Sequence, residues 1–487
     1  MRIPLDRQGP LPLYRQIETY LRQSILDGSL PPETRLPATR ELAHDLGINR
    51  ITVETAYAEL EADGLVSAKV GSGTFVLPSF PLPPRSPAGC DISWPLWQCE
   101  QKAKDRLSVA LEPEELLAVA GHRYPIDLSC GGGDPSLFPV QDLRKAIQTV
   151  LRRDGTAALE YGEIGGYAPL RSTISHVLAR QGLQARPENI LITAGSQQAL
   201  ALVAQLLLKS GDVVLVENPT YGAALDLFRT LDLNIVGLAM DEHGMRVEDL
   251  EPLLQQYHPK LIYTIPNFQN PTGTCLSTPR RRQLIALAGR YNVPILEDDF
   301  VGDLRYEGHA QPALKALDPG GRVIYVSTFS KMLMPGLRVG FLTAEGPVYG
   351  RLVNCKRVND LATSNLIQRA VEAYVTVGYY QAHLRRSRQL YRRRRDAMLL
   401  AIKRYLPAGV KVDPPQGGLY AWLRLPVPLS AQELLPLACQ AGVAFVPGSN
   451  FFANPDDGAD CLRLNFATQP PEKIEEGIRR LGQAMRW

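Results

Sequence analysis

The stretch Tyr325-Val-Ser-Thr-Phe-Ser-Lys331, continued by Met332-Leu-Met-Pro-Gly-Leu-Arg338-Val-Gly-Phe341, decides how the chain is read. The apolar, β-branched run Val323 to Val326 predicts a buried strand, and it delivers one lysine into a turn of small and hydroxyl-bearing residues. Most strand-end lysines are simply solvated. A lysine held among apolar groups has its ammonium form disfavoured, which is what an amine needs to form a Schiff base with an aldehyde. Thr328, Ser330 and Arg338 supply donors that suit a phosphate on the same ligand.

Two more stretches sharpen this. Pro266-Asn-Phe-Gln-Asn270-Pro-Thr-Gly273 is a turn-forming run after the apolar segment Leu261 to Ile265, at a strand end where open α/β sheets bind ligands. Val293-Pro-Ile-Leu-Glu-Asp298-Asp299-Phe300 ends another apolar strand in clustered carboxylates. Pyridoxal phosphate (PLP) requires such parts together: a lysine for its aldehyde, an acid for the pyridinium nitrogen, a donor for the ring phenol and a phosphate cup. The order NPTG, EDD, SxxK, R resembles fold-type I aminotransferases. That resemblance makes Lys331 the catalytic lysine and assigns Asn270 to the phenol oxygen, Asp298 to the ring nitrogen, and Thr328, Ser330 and Arg338 to the phosphate. Arg463, in Cys461-Leu-Arg-Leu-Asn-Phe466, matches the arginine that grips a substrate carboxylate, for which its planar fork is suited; otherwise it is an exposed strand arginine. Tyr161 resembles a residue that reaches across a dimer to the phosphate. Where relatives often carry a tyrosine shortly after the EDD pair this chain has Phe300, with no hydroxyl to assist the phenol oxygen, which counts against efficient transamination.

From Ile126 onward strands alternate with helical runs, predicting an α/β domain with a mainly parallel sheet and a smaller C-terminal α+β part. Ile190 to Thr193 reads as a strand, and Ala194-Gly-Ser-Gln-Gln198 opens a helix whose first N–H groups, with Ser196 and Gln197, can hold a phosphate; a plain helix start is the alternative. Val213 to Val216 leads to Glu217-Asn-Pro-Thr-Tyr221, where Tyr221 is either a core residue or a ring that stacks on a pyridine. The aminotransferase resemblance selects stacking.

Length and composition set bounds. At 487 residues two or more domains are expected, and hydrophobic and charged shares of 45% and 21% are those of a globular protein. Met1-Arg-Ile-Pro-Leu-Asp has no signal-peptide core, and the longest apolar stretch, around Ala199 to Leu208, is too short to span a bilayer, so a cytoplasmic protein with no membrane partner is expected. Seven scattered cysteines without a CxxC pair argue against a metal site and a disulfide framework. A net charge of +3 says nothing about nucleic acid.

Residues 1–77 form a separate unit. Leu13, Ile17, Tyr20, Leu21 and Ile25 recur at helical spacing; a second helix from about Ala38 carries Leu42, Ala43 and Leu46; and Leu46-Gly47-Ile48 makes a tight turn. Asn49 can cap a third helix with Val53, Ala56, Tyr57 and Leu60 as its buried stripe, leaving Arg50 and Thr52 outward. Leu65 to Ala68 and Thr74 to Leu77 read as strands flanking a glycine-rich tip, Lys69-Val-Gly-Ser-Gly73. A packing module without a nucleic-acid role is the alternative, and charge does not decide, with 8 Lys+Arg against 10 Asp+Glu in residues 1–80. Placement does: Arg35, Arg40, Arg50 and Lys69 fall where a winged helix meets DNA. Arg35-Leu-Pro-Ala-Thr-Arg40-Glu-Leu-Ala and Gly71-Ser-Gly-Thr-Phe-Val76 resemble the GntR-family winged helix-turn-helix, which implies DNA contacts from Arg40, Arg50, Thr52 and Gly71.

Residues 78–125 are proline-rich, as in a stiff linker, with helix formers from Glu100 to Ala120; residues 126–487 are the aminotransferase-like domain. Arg385, Arg386, Arg388 and Arg392 to Arg395 read as a solvated helix face, the alternative being a second DNA-contact surface. The two halves in this order resemble the MocR subgroup of GntR-family bacterial regulators. That resemblance implies a homodimer with PLP as cofactor, whose binding of double-stranded operator DNA responds to an amino compound or to PLP itself. A working aminotransferase carrying an accessory winged helix is the competing reading.

Overall fold

The computed structural model describes residues 3–7, 11–69, 72–77, 125–426 and 428–486. Gly71 and the linker, with its expected helix between Glu100 and Ala120, lie outside the described residues. The chain divides into two compact units, Met1–Lys104 and Asp105–Trp487.

In the first unit α1 (Leu13–Leu26), α2 (Thr39–Leu46) and α3 (Arg50–Ala62) are followed by an antiparallel hairpin of β1 (Val66–Lys69) and β2 (Gly73–Val76). Gly47 ends α2 in the left-handed region at φ 61°, which a glycine adopts without strain, and the Asn49 side chain accepts the Ile51 N–H at 2.9 Å to start α3. Ile17, Leu21 and Ile25 meet Leu42, Ala43, Val53, Ala56, Tyr57 and Leu60 in one core. One expected member is absent: Tyr20 is exposed, and Glu18 is buried instead, held by Arg22, which also reaches Asp63. An apolar period cannot reveal that a charge is tolerated inside because a partner one turn away neutralises it. The hairpin is offset by one residue from expectation, so Lys69 pairs with Gly73 at the end of the ladder rather than sitting in the tip.

The first described strand of the second unit is β3 (Ile126–Asp127). Its main sheet uses β4 (Ile190–Thr193), β5 (Val213–Asn218), β6 (Asn234–Asp241), β7 (Gly244–Met245), β8 (Leu261–Thr264), β9 (Ile295–Asp298), β10 (Val323–Thr328) and β11 (Gly340–Thr343), in the order β4-β11-β10-β9-β8-β5-β6-β7. The central pairs β10–β9, β9–β8, β8–β5 and β5–β6 are parallel; β11 and β7 run against their neighbours. Both faces are buried. Val214, Val216, Leu261, Tyr263, Leu296 and Ile324 enter one apolar cluster, while the alternating Leu215, Ile262, Ile295 and Val323 enter another. This two-residue period with apolar groups on both sides is why these strands read as continuous hydrophobic runs.

The C-terminal part carries β12 (Lys411–Val412), β13 (Tyr420–Arg424), β14 (Val443–Ala444), β15 (Val446–Pro447) and β16 (Cys461–Asn465). β12-β13-β16-β15 form an antiparallel sheet, and β14 pairs with β3. The 27-residue helix Tyr379–Tyr405 carries the arginine run. The expectation of a solvated face needs correcting for three positions: Arg388 is half-buried, its Nε donating to the Asp303 carbonyl at 2.6 Å, and two more are buried. Arg394 and Arg395 are buried, the first against Asp134 at 2.6 Å and the second against Glu307 at 2.7 Å. Arg385, Arg386, Arg392 and Arg393 remain exposed.

Candidate functional site

The three parallel strands β8, β9 and β10 bring their C-terminal ends together, and with them the three stretches singled out in the sequence. Register pairs Tyr263 with Leu296 and Val326 with Asp298, so the loop holding Asn270, the carboxylate of Asp298 and the turn holding Lys331 leave one edge of the sheet. Asp298 is 2% exposed; Oδ2 accepts the Tyr263 hydroxyl at 3.0 Å, while Oδ1 is buried with no hydrogen-bond partner among the described residues. Burial raises this carboxyl to about 7, with Asp299 and Glu217 adding to the rise. A buried anion with one bare oxygen fits a protonated ring nitrogen, which supplies both a proton and a positive charge.

Lys331 is partly buried, and burial is the main reason its amine is held below the ordinary lysine value; the cations Arg463 and Arg338 push the same way. Asn270 is buried and its Oδ1 accepts from Arg463 at 3.0 Å, which leaves its amide N–H groups to donate elsewhere. Arg463 projects from β16, with its second terminal nitrogen on the Ser129 carbonyl at 2.9 Å, its Nε unpartnered, and its guanidinium 4.2 Å from the Tyr420 ring centre and 4.9 Å from that of Phe451. It is therefore no exposed strand arginine. Sandwiched between aromatic faces, it presents a planar fork in a fixed orientation.

The expected phosphate donors converge where β10, β11 and β4 meet. Thr328 pairs with Gly340 and Gly340 with Thr193, placing the Thr328–Ser330 turn beside the start of the helix Ser196–Leu207. Thr328 donates to the Ser330 hydroxyl at 3.1 Å, and Arg338 donates to the Ala194 carbonyl at 2.8 Å. Gly195 has φ 101°, and a Cβ there would sit 2.8 Å from Arg338 Nη2, so a side chain would fill the cradle. The Gln197 amide nitrogen is taken by the Ala223 carbonyl at 3.0 Å, leaving its backbone N–H and that of Ser196 at the helix start. Tyr221 is largely enclosed and burial pushes its hydroxyl up to about 12; it shares the field of Asp298, Arg463 and Arg338. Phe300 is buried with its ring 6.5 Å from that of Tyr420, and Tyr161 is 84% exposed. Sequence reading missed Tyr263, which holds Asp298, and Tyr420, which supports Arg463. Both sit in apolar strand runs, and the cross-strand register that makes them functional has no local signal.

The family profile "Aminotransferase class I and II" matches residues 126–481, and "Bacterial regulatory proteins, gntR family" matches residues 13–76. The HTH-type transcriptional regulator YisV of Bacillus subtilis is 33% identical, the match covering 99% of this chain and 97% of that protein. The probable rhizopine catabolism regulatory protein MocR of Rhizobium meliloti is 30% identical over 99% of this chain and 95% of its own. The chain belongs to the MocR group of GntR-family regulators. Its second unit is an aminotransferase class I and II domain, whose cofactor is PLP. The crystal structure of LysN, an alpha-aminoadipate aminotransferase from Thermus thermophilus complexed with N-(5'-phosphopyridoxyl)-L-leucine, shares 35% identity and a TM-score of 0.73, covering 81% of this chain and 98% of that one.

In this MocR-type chain the candidate DNA residues are spread over the first unit. Arg50 opens α3, exposed and paired with Glu54 at 2.6 Å; Thr52 is half-buried in the same first turn; Arg40 is exposed at the start of α2. Arg35 bridges to Phe75 of the hairpin, its guanidinium lying over Gly73, and Lys69 Nζ is 5.5 Å from the Phe75 ring centre. An exposed i,i+4 pair such as Arg50–Glu54 is worth only about 0.3–0.5 kcal/mol, so phosphate or base can replace Glu54 at small cost.

The buried carboxyls carry a pH prediction. Glu297, like Asp298, is raised to about 7, first by burial. A raised carboxyl value contributes stability that is fully present below the unfolded value, near 4, and is lost as pH rises through about 7. The melting temperature of the cofactor-free protein is therefore expected to fall between about pH 5.5 and pH 8, and Asp298→Asn should flatten the fall. A flat wild-type profile would contradict it.

Proposed function

We propose that the protein is a cytoplasmic, homodimeric regulator in which an amino compound, or PLP itself, captured in the aminotransferase-like domain alters the affinity of the winged helix for operator DNA. The observation that carries this is the cofactor-shaped cluster around Asp298 in a chain whose N-terminal unit is a winged helix. When bound, PLP supplies an aldehyde that condenses with amines and a ring that withdraws electrons. Lys331 would hold the aldehyde carbon, Asp298 the ring nitrogen and Asn270 the phenol oxygen. Ser196 and Gln197 N–H, Thr328, Ser330 and Arg338 would take the phosphate, and Tyr221 would cover a ring face. Arg463 would fix a carboxylate on the incoming amine. Phe300 donates no hydrogen bond, so proton transfers after capture have less support here than where a tyrosine stands. That favours retention of the amine over its conversion, and with it sensing over turnover. Tyr161, exposed in one chain, is suited to completing the phosphate cup of a second copy.

The test pairs operator titrations with a keto-acid assay on one sample across a panel of amino acids. A shift in DNA affinity with little turnover supports sensing; fast turnover with constant DNA affinity favours the enzyme. Arg40→Ala and Arg50→Ala are each expected to weaken operator binding by about 1–3 kcal/mol where the arginine reads a base edge, with relaxed specificity at that position alone. A phosphate contact would instead weaken all sequences alike and lower the salt slope by about 1. Wild-type binding by both variants would exclude α3 and the start of α2 as the reading surface.

A further inference from the structure

The helix Tyr379–Tyr405 has one face committed to the site and one face that the function above does not use. On the committed face the Tyr391 hydroxyl accepts the Asp134 N–H at 3.0 Å, Arg394 holds the Asp134 carboxylate, and Arg395 donates to the Pro415 carbonyl at 2.8 Å. The other face repeats at helical spacing: Arg385, Arg386, Gln389, Arg392, Arg393, Asp396, Leu400, Lys403 and Arg404 are exposed. The 27-residue helix carries 9 Lys+Arg and a single carboxylate, Asp396, although the whole chain has a formal net charge of only +3. The positive charge is thus concentrated on this element and offset elsewhere.

Local acids do not cancel it. Glu307 meets Arg392 at 3.3 Å but is already bound by the buried Arg395 at 2.7 Å, and Asp396 is bound by the same Arg395. Asp303 is tied to Tyr380 and Gln181, and Asp142 shares the surroundings of Tyr374 with Arg386. Among the described residues Arg385, Arg386 and Arg393 have no ion-pair partner.

We propose that this face is a second DNA-contact surface, gripping the sugar-phosphate backbone of a duplex with Arg385, Arg386, Arg392 and Arg393. The proposal rests on the reading of the protein as a DNA-binding regulator. Two arginine pairs seven residues apart lie roughly 10 Å from each other along the helix, close to the ~12 Å width of a major groove bordered by phosphates. A single strand would call for a run of aromatic side chains on which successive bases stack; between Arg385 and Arg393 this face exposes none, and Tyr379 at the helix start, though exposed, has its ring 5.6 Å from that of Tyr374. A protein partner would call for an apolar centre, and the exposed apolar groups of the helix, Tyr379 and Leu400, lie on either side of the arginine stretch rather than at its centre. Because the buried side is hydrogen-bonded into the domain, the guanidinium groups are carried on a rigid support, which reduces the ordering lost on contact.

The test uses the full-length, PLP-loaded protein and an operator duplex, titrated between about 50 mM and 200 mM salt. Changing all four arginines to glutamine is expected to make the plot of log affinity against log salt shallower by about 3 to 4, with base preference retained. The matching four lysines should restore the slope, since charge rather than shape is being read. The single changes Arg385→Gln and Arg393→Gln, at exposed unpaired positions, should each remove about 1 from the slope without lowering the melting temperature. A wild-type slope in the glutamine variants, with operator preference intact, overturns the surface and leaves the regulator reading standing. Failure of the wild-type protein to prefer operator over scrambled duplex overturns that reading and the surface with it.

Discussion

Lys331→Ala is expected to abolish both the borohydride-stable cofactor label and the response of DNA binding to amines, while operator affinity in the absence of effector stays at the wild-type value. The lysine is delivered by β10 into a pocket where burial, Arg463 and Arg338 all disfavour its ammonium form, so it is an amine prepared to attack an aldehyde. Alanine removes that nucleophile but leaves the rest of the cluster, since Asp298 is held by Tyr263 and Asn270 by Arg463. The required size of the lost response is modest. A coupling of about 1–3 kcal/mol, or 5- to 150-fold in DNA affinity, suffices if the effector binds two arrangements of the protein unequally. By the same linkage, operator DNA must change effector affinity by an equal factor in the wild type and by none in the variant. Peptide mapping after reduction should place the label on Lys331. A label elsewhere, or an undiminished amine response in Lys331→Ala, would reject the assignment. Arg463→Ala offers a graded companion: it should weaken carboxylated effectors while sparing amines that lack the carboxylate.

What the sequence disclosed follows from the range of the interactions involved. The strand ends bearing Asn270, Asp298 and Lys331 were legible because each is a short apolar run closed by polar residues, and the helix-turn-helix because Gly47 and Asn49 act on their immediate neighbours. Local pattern failed wherever a partner far along the chain decides the environment. Arg394 and Arg395 resemble their exposed neighbours in sequence, yet lie buried because Asp134 and Glu307 are brought to them from remote segments. Glu18 sits inside and Tyr20 outside for a similar reason, the charge being answered by Arg22. Tyr263 and Tyr420 look like core aromatics, and only strand register turns one toward Asp298 and lays the other against Arg463.

The pair Arg394–Asp134 gives the largest expected effect on stability. Both side chains are nearly enclosed, at 6% and 7% exposure, and they meet at 2.6 Å. Burial opposes the Asp134 carboxylate, but hydrogen bonds from Ser136 and Arg394 outweigh it and hold the group below its ordinary value. Arg394→Ala would leave this anion buried without its cation and strip the Ala467 carbonyl of a donor, so a loss of about 3–5 kcal/mol is expected. The loss should depend on pH in a definite direction. A depressed carboxyl value contributes stability that is present above the unfolded value near 4 and disappears as pH falls through the folded value, so the gap between wild type and variant should narrow on acidification below about pH 4. Arg394→Met combined with Asp134→Asn should recover much of the stability, because an apolar contact and a neutral cap carry no uncompensated charge. Chemical denaturation of the wild type, Arg394→Met, Asp134→Asn and the double variant measures the coupling. Asp134 ends the loop containing Gly131, where a Cβ would lie 3.7 Å from Lys331 Nζ, so the single variant should also weaken cofactor retention. A single variant that unfolds at the wild-type denaturant concentration, at neutral pH, would show that the pair contributes nothing to holding the long helix against the site.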